Sequence, residues 1–282
     1  VIKLTCASQM KEFSRNERKR DKTVGFVPTM GFLHEGHLSL VKKSLEECDT
    51  TVMSIFVNPL QFGPNEDFEK YPRDLERDTA LAAQSGVDVL FIPDAKEIYP
   101  SSLSVSMTAK QRTDVMCGAS RPGHFDGVIT VLSILFNLVQ ADRAYFGQKD
   151  AQQVAVVQGL VNSLMFPVEI VPVETVREQD GLAKSSRNVY LSPAERKQAP
   201  ILYKALKEGE KSLSHLGTQE TIKKMRDMIN SSADGKIDYI EILKYPDLTP
   251  LVLNKGKVII ALAVQFDKAR LIDNVIFTMK EE

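Results

Sequence analysis

From residue 24 to residue 173 the chain alternates between short apolar runs, rich in β-branched and aromatic residues, and longer segments of helical periodicity. That alternation is the pattern of βαβ units and a parallel sheet. The runs 24–28, 51–57, 87–92, 143–146 and 168–173 read as strands, apolar toward both faces as helix-covered strands should be. Helical patterns fall between and after them. Over 36–48, Leu38, Val41 and Leu45 recur at spacings of three and four, opposite Lys42, Lys43, Glu46 and Glu47. The segment 73–84 follows Pro72 and stops before Gly86. The segment 126–140 is apolar nearly all round, which predicts burial in the sheet packing or at a subunit contact. The segment 150–164 sets Val154, Val157 and Val161 on one side. Together these elements predict an α/β fold, a Rossmann-like doubly wound parallel sheet whose ligands bind beyond the carboxyl ends of the strands.

Beyond residue 175 the texture changes. Two charged amphipathic helices, 193–213 and 218–231, precede strand-like runs at 237–243, 257–265 and 271–278. Helices followed by strands suggest a separate, smaller α+β domain. The expected division is therefore 1–175 and 176–282, which suits a chain of 282 residues.

Charge narrows the partners. Lysine and arginine number 36 against 37 acids, so a long polyanion is a poor candidate and no nucleic-acid partner is expected. Three cysteines (Cys6, Cys48, Cys117) with no C-x-x-C pair exclude a disulfide scaffold or zinc ribbon and suit a reducing compartment. The most apolar run, 128–139, is interrupted by Thr130, Ser133 and Asn137 and falls short of the ~20 residues of a membrane span. No signal-peptide pattern is visible, and a cytoplasmic location without membrane contact is expected.

The candidate chemistry sits where strands meet helices. Residues 28–37 read PTMGFLHEGH, with His34 and His37 at a strand's carboxyl end and a helix's start. Positions i and i+3 share a helical face, glycine lets a ligand approach the backbone, and a helix N-terminus favours anions. These features describe a phosphate site. A P-loop is excluded because His37 and Leu38 replace its Lys and Ser/Thr. A zinc helix would need histidines at i and i+4. Two histidines that merely cap a helix remain the alternative. Gly147-Gln148-Lys149-Asp150 lies at another strand–helix junction, where lysine suits a phosphate oxygen. Lys184-Ser185-Ser186-Arg187-Asn188 offers hydroxyls and a guanidinium to phosphate oxygens, or else forms a hinge loop. The long loop 58–67 contains Gln61, suited to a small polar ligand, and 121–126 makes a further turn into a helix.

Five ordered segments, PTMGFLHEGH, FVNPLQFGPNEDFEKYPR, RPGHFDGV, YFGQKDAQQ and REQDGLAKSSRNVYLS, resemble along essentially the whole chain one family, pantothenate synthetase, the pantoate–β-alanine ligase. It belongs to the H-x-G-H nucleotidyltransferase superfamily. The resemblance implies a Rossmann-like catalytic domain with a C-terminal lid domain, usually as a homodimer. It also implies a two-step reaction, in which pantoate and ATP give pantoyl adenylate and pyrophosphate, and β-alanine then yields pantothenate and AMP. Carried over by motif, Met30, Gly31, Phe32, Leu33, His34, Glu35, Gly36 and His37 form an ATP-binding segment, with His37 as proton donor. Gly147, Gln148, Lys149 and Asp150 hold the nucleotide, Val176 contacts it, and Lys184, Ser185, Ser186 and Arg187 close over its phosphates. His34, His37, Lys149, Ser185, Ser186 and Arg187 are the expected catalytic set. Gln61 and Gln153 grip pantoate, and Arg121 and His124 lie near the second substrate. The family uses Mg²⁺ with ATP, and Asp78 matches an acidic position associated with it. One departure is Lys184, where the family often has methionine. The extra cation is expected to alter ATP affinity without removing a catalytic donor.

Overall fold

The computed structural model describes residues 1–63, 68–252 and 255–280, so residues 64–67 of the long loop lie outside the described residues. In chain order the elements are β1 (Ile2–Leu4), α1 (Ala7–Lys19), β2 (Val24–Thr29), α2 (Glu35–Glu47), β3 (Thr50–Ile55), α3 (Leu75–Gln84), β4 (Val89–Phe91), α4 (Ala95–Ile98), α5 (Met116–Ser120), α6 (His124–Val139), β5 (Arg143–Gly147), α7 (Ala151–Leu164), β6 (Glu169–Val173), α8 (Pro193–Gln198), α9 (Ile201–Asn230), β7 (Lys236–Lys244), β8 (Gly256–Gln265) and β9 (Arg270–Met279). They fall into two compact units, one of residues 1–110, 121–148 and 156–174, the other of 111–120, 149–155 and 175–282. Segments 111–120 and 149–155 thus precede residue 175 in the chain but belong to the second unit.

The first unit holds a six-stranded sheet in the order β1-β4-β3-β2-β5-β6, with every pair parallel. The chain runs outward from β2 through β3 to β4, then returns to place β5 on the other side of β2. This reversal is a topological switch point, which leaves a crevice beyond the carboxyl ends of β2 and β5. Strands β3 and β4 are buried throughout, as double coverage requires. β6 corrects the expectation: Glu169 and Pro172 are exposed, because β6 is an edge strand with β5 as its one neighbour. The apolar helix α6 is buried along most of its length and starts two residues before the expected position, at Gly123 with φ +81° as its N-cap.

The second unit carries the antiparallel sheet β7-β8-β9. On one side Val258, Ile260, Leu262 and Val264 of β8 join Leu202, Leu206, Leu213, Met225 and Ile229 of α9 in one apolar cluster. On the other side Ile259 and Ala261 meet Met116, Ala151, Ala155, Leu243 and Tyr245. The expected helix 193–213 is two pieces, α8 and the start of α9, with Pro200 at the N-cap of the latter. The expected break before residue 218 survives as Gly217 (φ 72°, ψ 176°), inside a helix otherwise continuous to Asn230.

Candidate active site

Between β2 and α2 the backbone turns sharply. Thr29 donates its hydroxyl to the Ser54 carbonyl (2.7 Å) and accepts from the Gly31 amide (3.2 Å). Gly31 has φ +84°, and a Cβ there would stand 2.9 Å from Asp78 Oδ2, so glycine is required twice over. Phe32 follows in the same left-handed region (φ +50°), which costs a non-glycine residue free energy that its surroundings must offset. The offset is visible. The buried carboxylate of Asp78 accepts from the amides of Phe32 (2.6 Å) and Leu33 (2.7 Å).

His34 is the N-cap of α2, and its Nδ1 accepts from the Gly36 amide (3.1 Å). His37 Nδ1 accepts from the His34 amide (3.2 Å), and the two rings lie 4.1 Å apart between centroids. Capping and ligand binding are therefore not alternatives here. An Nδ1 that accepts from an amide carries no proton, which places the ring hydrogen of each neutral imidazole on Nε2. Both histidines are N–H donors at the end of a helix whose dipole favours anions.

Asp78, the expected metal position, is buried with both oxygens accepting from backbone amides, and its Oδ1 lies 3.6 Å from Arg77 Nη1. Among the described residues, no group of three or more His, Cys, Asp or Glu is arranged to hold a metal ion. The carboxylate holds the loop.

Gln61 ends a 3-10 turn, Pro59–Gln61, capped by Asn58. The Tyr99 hydroxyl donates to Asn58 Oδ1 (2.8 Å), and Asn58 Nδ2 donates to Gln61 Oε1 (3.1 Å). This relay leaves the Gln61 amide with its Nε2 side toward Met30 Sδ, 3.1 Å away. His124 Nδ1 donates to the Gln61 carbonyl (2.8 Å), and Arg121 reaches both His124 Nε2 (3.2 Å) and that carbonyl (3.5 Å). Arg121 and His124 thus hold the backbone of Gln61.

Helix α6 presses against the same turn through Gly127, where a Cβ would stand 2.3 Å from the Leu60 carbonyl and 2.6 Å from the Gln61 amide nitrogen. Backbone cannot yield as a flexible side chain would. Gly127→Ala is therefore expected to destabilise the protein by about 1–3 kcal/mol. A thermal melt checks this, and an unchanged melting temperature would show that the turn adjusts.

Gly147 and Gln148 close the first unit's share of candidates; a Cβ on Gly147 would meet no protein atom within 4 Å, so packing does not dictate glycine there. Lys149, Asp150 and Gln153 belong to the second unit. Lys149 Nζ lies 3.6 Å from Asp150 Oδ2, and Gln153 is half-buried at the start of α7. Its neighbour Gln152 has a structural task, donating to the carbonyls of Arg112 and Val115 (2.8 Å each) and accepting from Gly118. In the same unit the Lys184 amide donates to the Val176 carbonyl (2.9 Å), pinching the segment between them into a hairpin. Ser185 caps the 3-10 turn Ser186–Tyr190, its hydroxyl accepting from the Arg187 amide (3.3 Å). Lys184 Nζ is 2.8 Å from Glu178 Oε1, so its added charge is offset by a neighbouring carboxylate.

Residues 3–276 match the family model described as Pantoate-beta-alanine ligase. The chain belongs to that family. A pantothenate synthetase of Geobacillus sp. (strain WCH70) is 57% identical over 98% of both chains. One from Bacillus subtilis (strain 168) is 56% identical over 99% of this chain and 98% of its own. Among solved structures, the pantothenate synthetase from Thermus thermophilus superposes with a TM-score of 0.91 at 45% identity, covering 98% of this chain and 99% of that one. The pantoate-beta-alanine ligase from Francisella tularensis, complexed with beta-gamma ATP and beta-alanine, gives 0.81 at 36% identity, covering 98% and 97%. This ligase shares their six-stranded parallel sheet and small antiparallel sheet. Asn58, Tyr99 and Gly127 escape a reading of the sequence. Asn58 heads the Asn-Pro-Leu-Gln stretch, and a polar N-cap before proline is the available signal. Nothing local marks Tyr99 or Gly127.

Proposed function

We propose that this chain carries out ATP-dependent condensation of pantoate with β-alanine through a pantoyl adenylate. A pantoate carboxylate oxygen attacks the α-phosphorus of ATP and pyrophosphate leaves. The β-alanine amine then attacks the acyl carbon, loses a proton, and AMP departs with the electron pair of the broken acyl–oxygen bond. Charge in the first step develops on the α-phosphoryl oxygens and on the leaving pyrophosphate. Fixed donors therefore serve better than a nucleophile on the protein.

The observation that carries this reading is the pair of imidazoles held as Nε2–H donors at the N-terminus of α2. In this reading they bind the phosphates, and the Nε2–H of His37 donates a hydrogen bond to the leaving oxygen. Lys149, Ser185, Ser186 and Arg187 supply further donors, while Met30–His37, Gly147–Asp150, Val176 and Lys184 line the nucleotide. Gln61, oriented through Asn58 and Tyr99, donates from Nε2 to pantoate, with Gln153 as a second contact. Arg121 and His124 act by fixing Gln61. Mg²⁺ bound with ATP would neutralise phosphate charge, with Asp78 as the protein's candidate carboxylate for it. A homodimer in the cytoplasm completes the reading.

The test is pantoate-dependent exchange of labelled pyrophosphate into ATP, with Mg²⁺ present and β-alanine absent. Exchange that requires pantoate, followed by AMP release and pantothenate formation on adding β-alanine, is expected. No exchange from a folded protein that binds ATP would favour another carboxylate substrate.

A further inference from the structure

Two adjacent residues in the middle of β9 tie together both second-unit segments assigned to the nucleotide. Asp273 is buried, and its carboxylate receives a two-pronged bond from Arg177, Nη1 to Oδ2 at 2.7 Å and Nη2 to Oδ1 at 2.9 Å. Arg177 lies one residue beyond Val176 and bridges to Ala183, so it sits in the hairpin that Val176 and Lys184 close. Its guanidinium also donates to the Gly181 carbonyl (3.0 Å) and stacks 3.8 Å from the centroid of the Tyr203 ring. The planar, five-donor guanidinium makes such a fixed fork where lysine could not.

Asn274 continues the chain of contacts. Its amide donates to Asp273 Oδ1 (2.8 Å), and its side-chain Nδ2 donates to the Lys149 carbonyl (2.9 Å). Asp273 and Asn274 are themselves in register with Leu262 and Ala261 of the buried strand β8. A strand clamped in this way is a rigid mount, and groups mounted on strands are held more closely than groups on loops.

We propose that Asp273 and Asn274 are positioning residues that hold Lys149 and the 176–187 segment in one arrangement matched to the phosphates of a nucleoside triphosphate. The proposal rests on the assignment of Lys149 and Ser185–Arg187 to ATP. It gives a reason for a carboxylate so deep beneath the sheet's edge: Asp273 touches no phosphate, yet it orients donors that do. Phosphoryl transfer is sensitive to placement, since displacement of a reacting or stabilising group by about 1 Å costs on the order of 10²-fold in rate.

The experiment compares Asn274→Ala and Arg177→Lys with the wild-type chain and with Lys149→Ala, measuring thermal melts and pantoate-dependent pyrophosphate exchange. Asn274→Ala is expected to raise the KM for ATP about tenfold, the loss of roughly one hydrogen bond's worth of orientation. The KM for pantoate should stay within about twofold and the melt should remain cooperative. Arg177→Lys should shift the same constant in the same direction. An ATP KM unchanged in the folded variants, or pantoate and ATP constants rising together, overturns the proposal. So does loss of the cooperative melt in both variants, which would make the pair part of the scaffold alone. Lys149→Ala separates the two levels. If it leaves exchange intact, the ATP assignment itself fails, whereas loss of exchange in Lys149→Ala alone removes only the positioning role.

Discussion

Asp78→Asn is expected to lower pantoate-dependent pyrophosphate exchange by about 10²-fold while the protein still folds. The carboxylate presents two acceptors to two backbone donors, Phe32 at 2.6 Å and Leu33 at 2.7 Å. An amide presents one acceptor and one donor group, so one buried N–H is left facing an NH₂. A buried donor without an acceptor costs about 1–3 kcal/mol, most simply relieved by moving the loop. Phe32 is already in the left-handed region, and the loop leads directly to the N-cap His34. The displacement therefore reaches both imidazoles. Kinetics over a range of Mg²⁺ concentrations identify the cause. A loop-holding carboxylate predicts a defect that added Mg²⁺ does not repair, whereas restoration by excess Mg²⁺ would place Asp78 at the metal.

His37→Ala should reduce exchange by roughly 10²–10³-fold, the range for a lost hydrogen-bond donor to developing charge in a transition state. The structure supplies a sharper comparison. His37 uses Nδ1 to accept from the His34 amide, so the ring does two jobs, closing the loop and donating from Nε2. Glutamine can carry an N–H to about the reach of Nε2 but offers no equivalent of Nδ1 and transfers no proton at neutral pH. His37→Gln is thus expected to recover part of the activity lost in His37→Ala if charge stabilisation dominates. Equal loss in both variants would assign the larger share to proton transfer. Single-turnover reaction of β-alanine with pre-formed pantoyl adenylate should be affected less than exchange, because that step releases AMP rather than pyrophosphate.

The parallel sheet and the placement of motifs at strand ends are legible because hydrophobic runs and helical spacing report burial directly. Where burial is polar, the pattern fails. Helix α1 goes unread because its buried face is Met10, Ser14 and Glu17. Ser14 donates to the Met10 and Leu138 carbonyls, and Glu17 accepts from Thr50. Strand β1 is only three residues long, below what alternation can reveal. Within the candidate site, sequence marks residue type but not partner. Gln152 and Gln153 are indistinguishable as letters, yet Gln152 is bound to three backbone groups of the 111–120 segment. The sequence likewise shows neither the amides from which Asp78 accepts nor the bonds from Arg121 and His124 to the Gln61 carbonyl. Asp273 and Asn274 lie far along the chain from Lys149, and no local pattern connects them.

Strand β8 imposes a demand on the chain while it is being made. Its residues 258–264, Val-Ile-Ile-Ala-Leu-Ala-Val, are almost completely buried, with α9 on one face and α5 and the start of α7 on the other. Seven consecutive apolar residues without charge or proline are the composition that stacks into intermolecular cross-β structure when left uncovered. Lys257 before the stretch, and Asp267 and Lys268 after it, supply the flanking charges that oppose such stacking. Because α9 is synthesised ahead of β8, its apolar face exists before the strand emerges. A lesion that loosens α9 should consequently show itself as insoluble protein before it shows itself as slow enzyme.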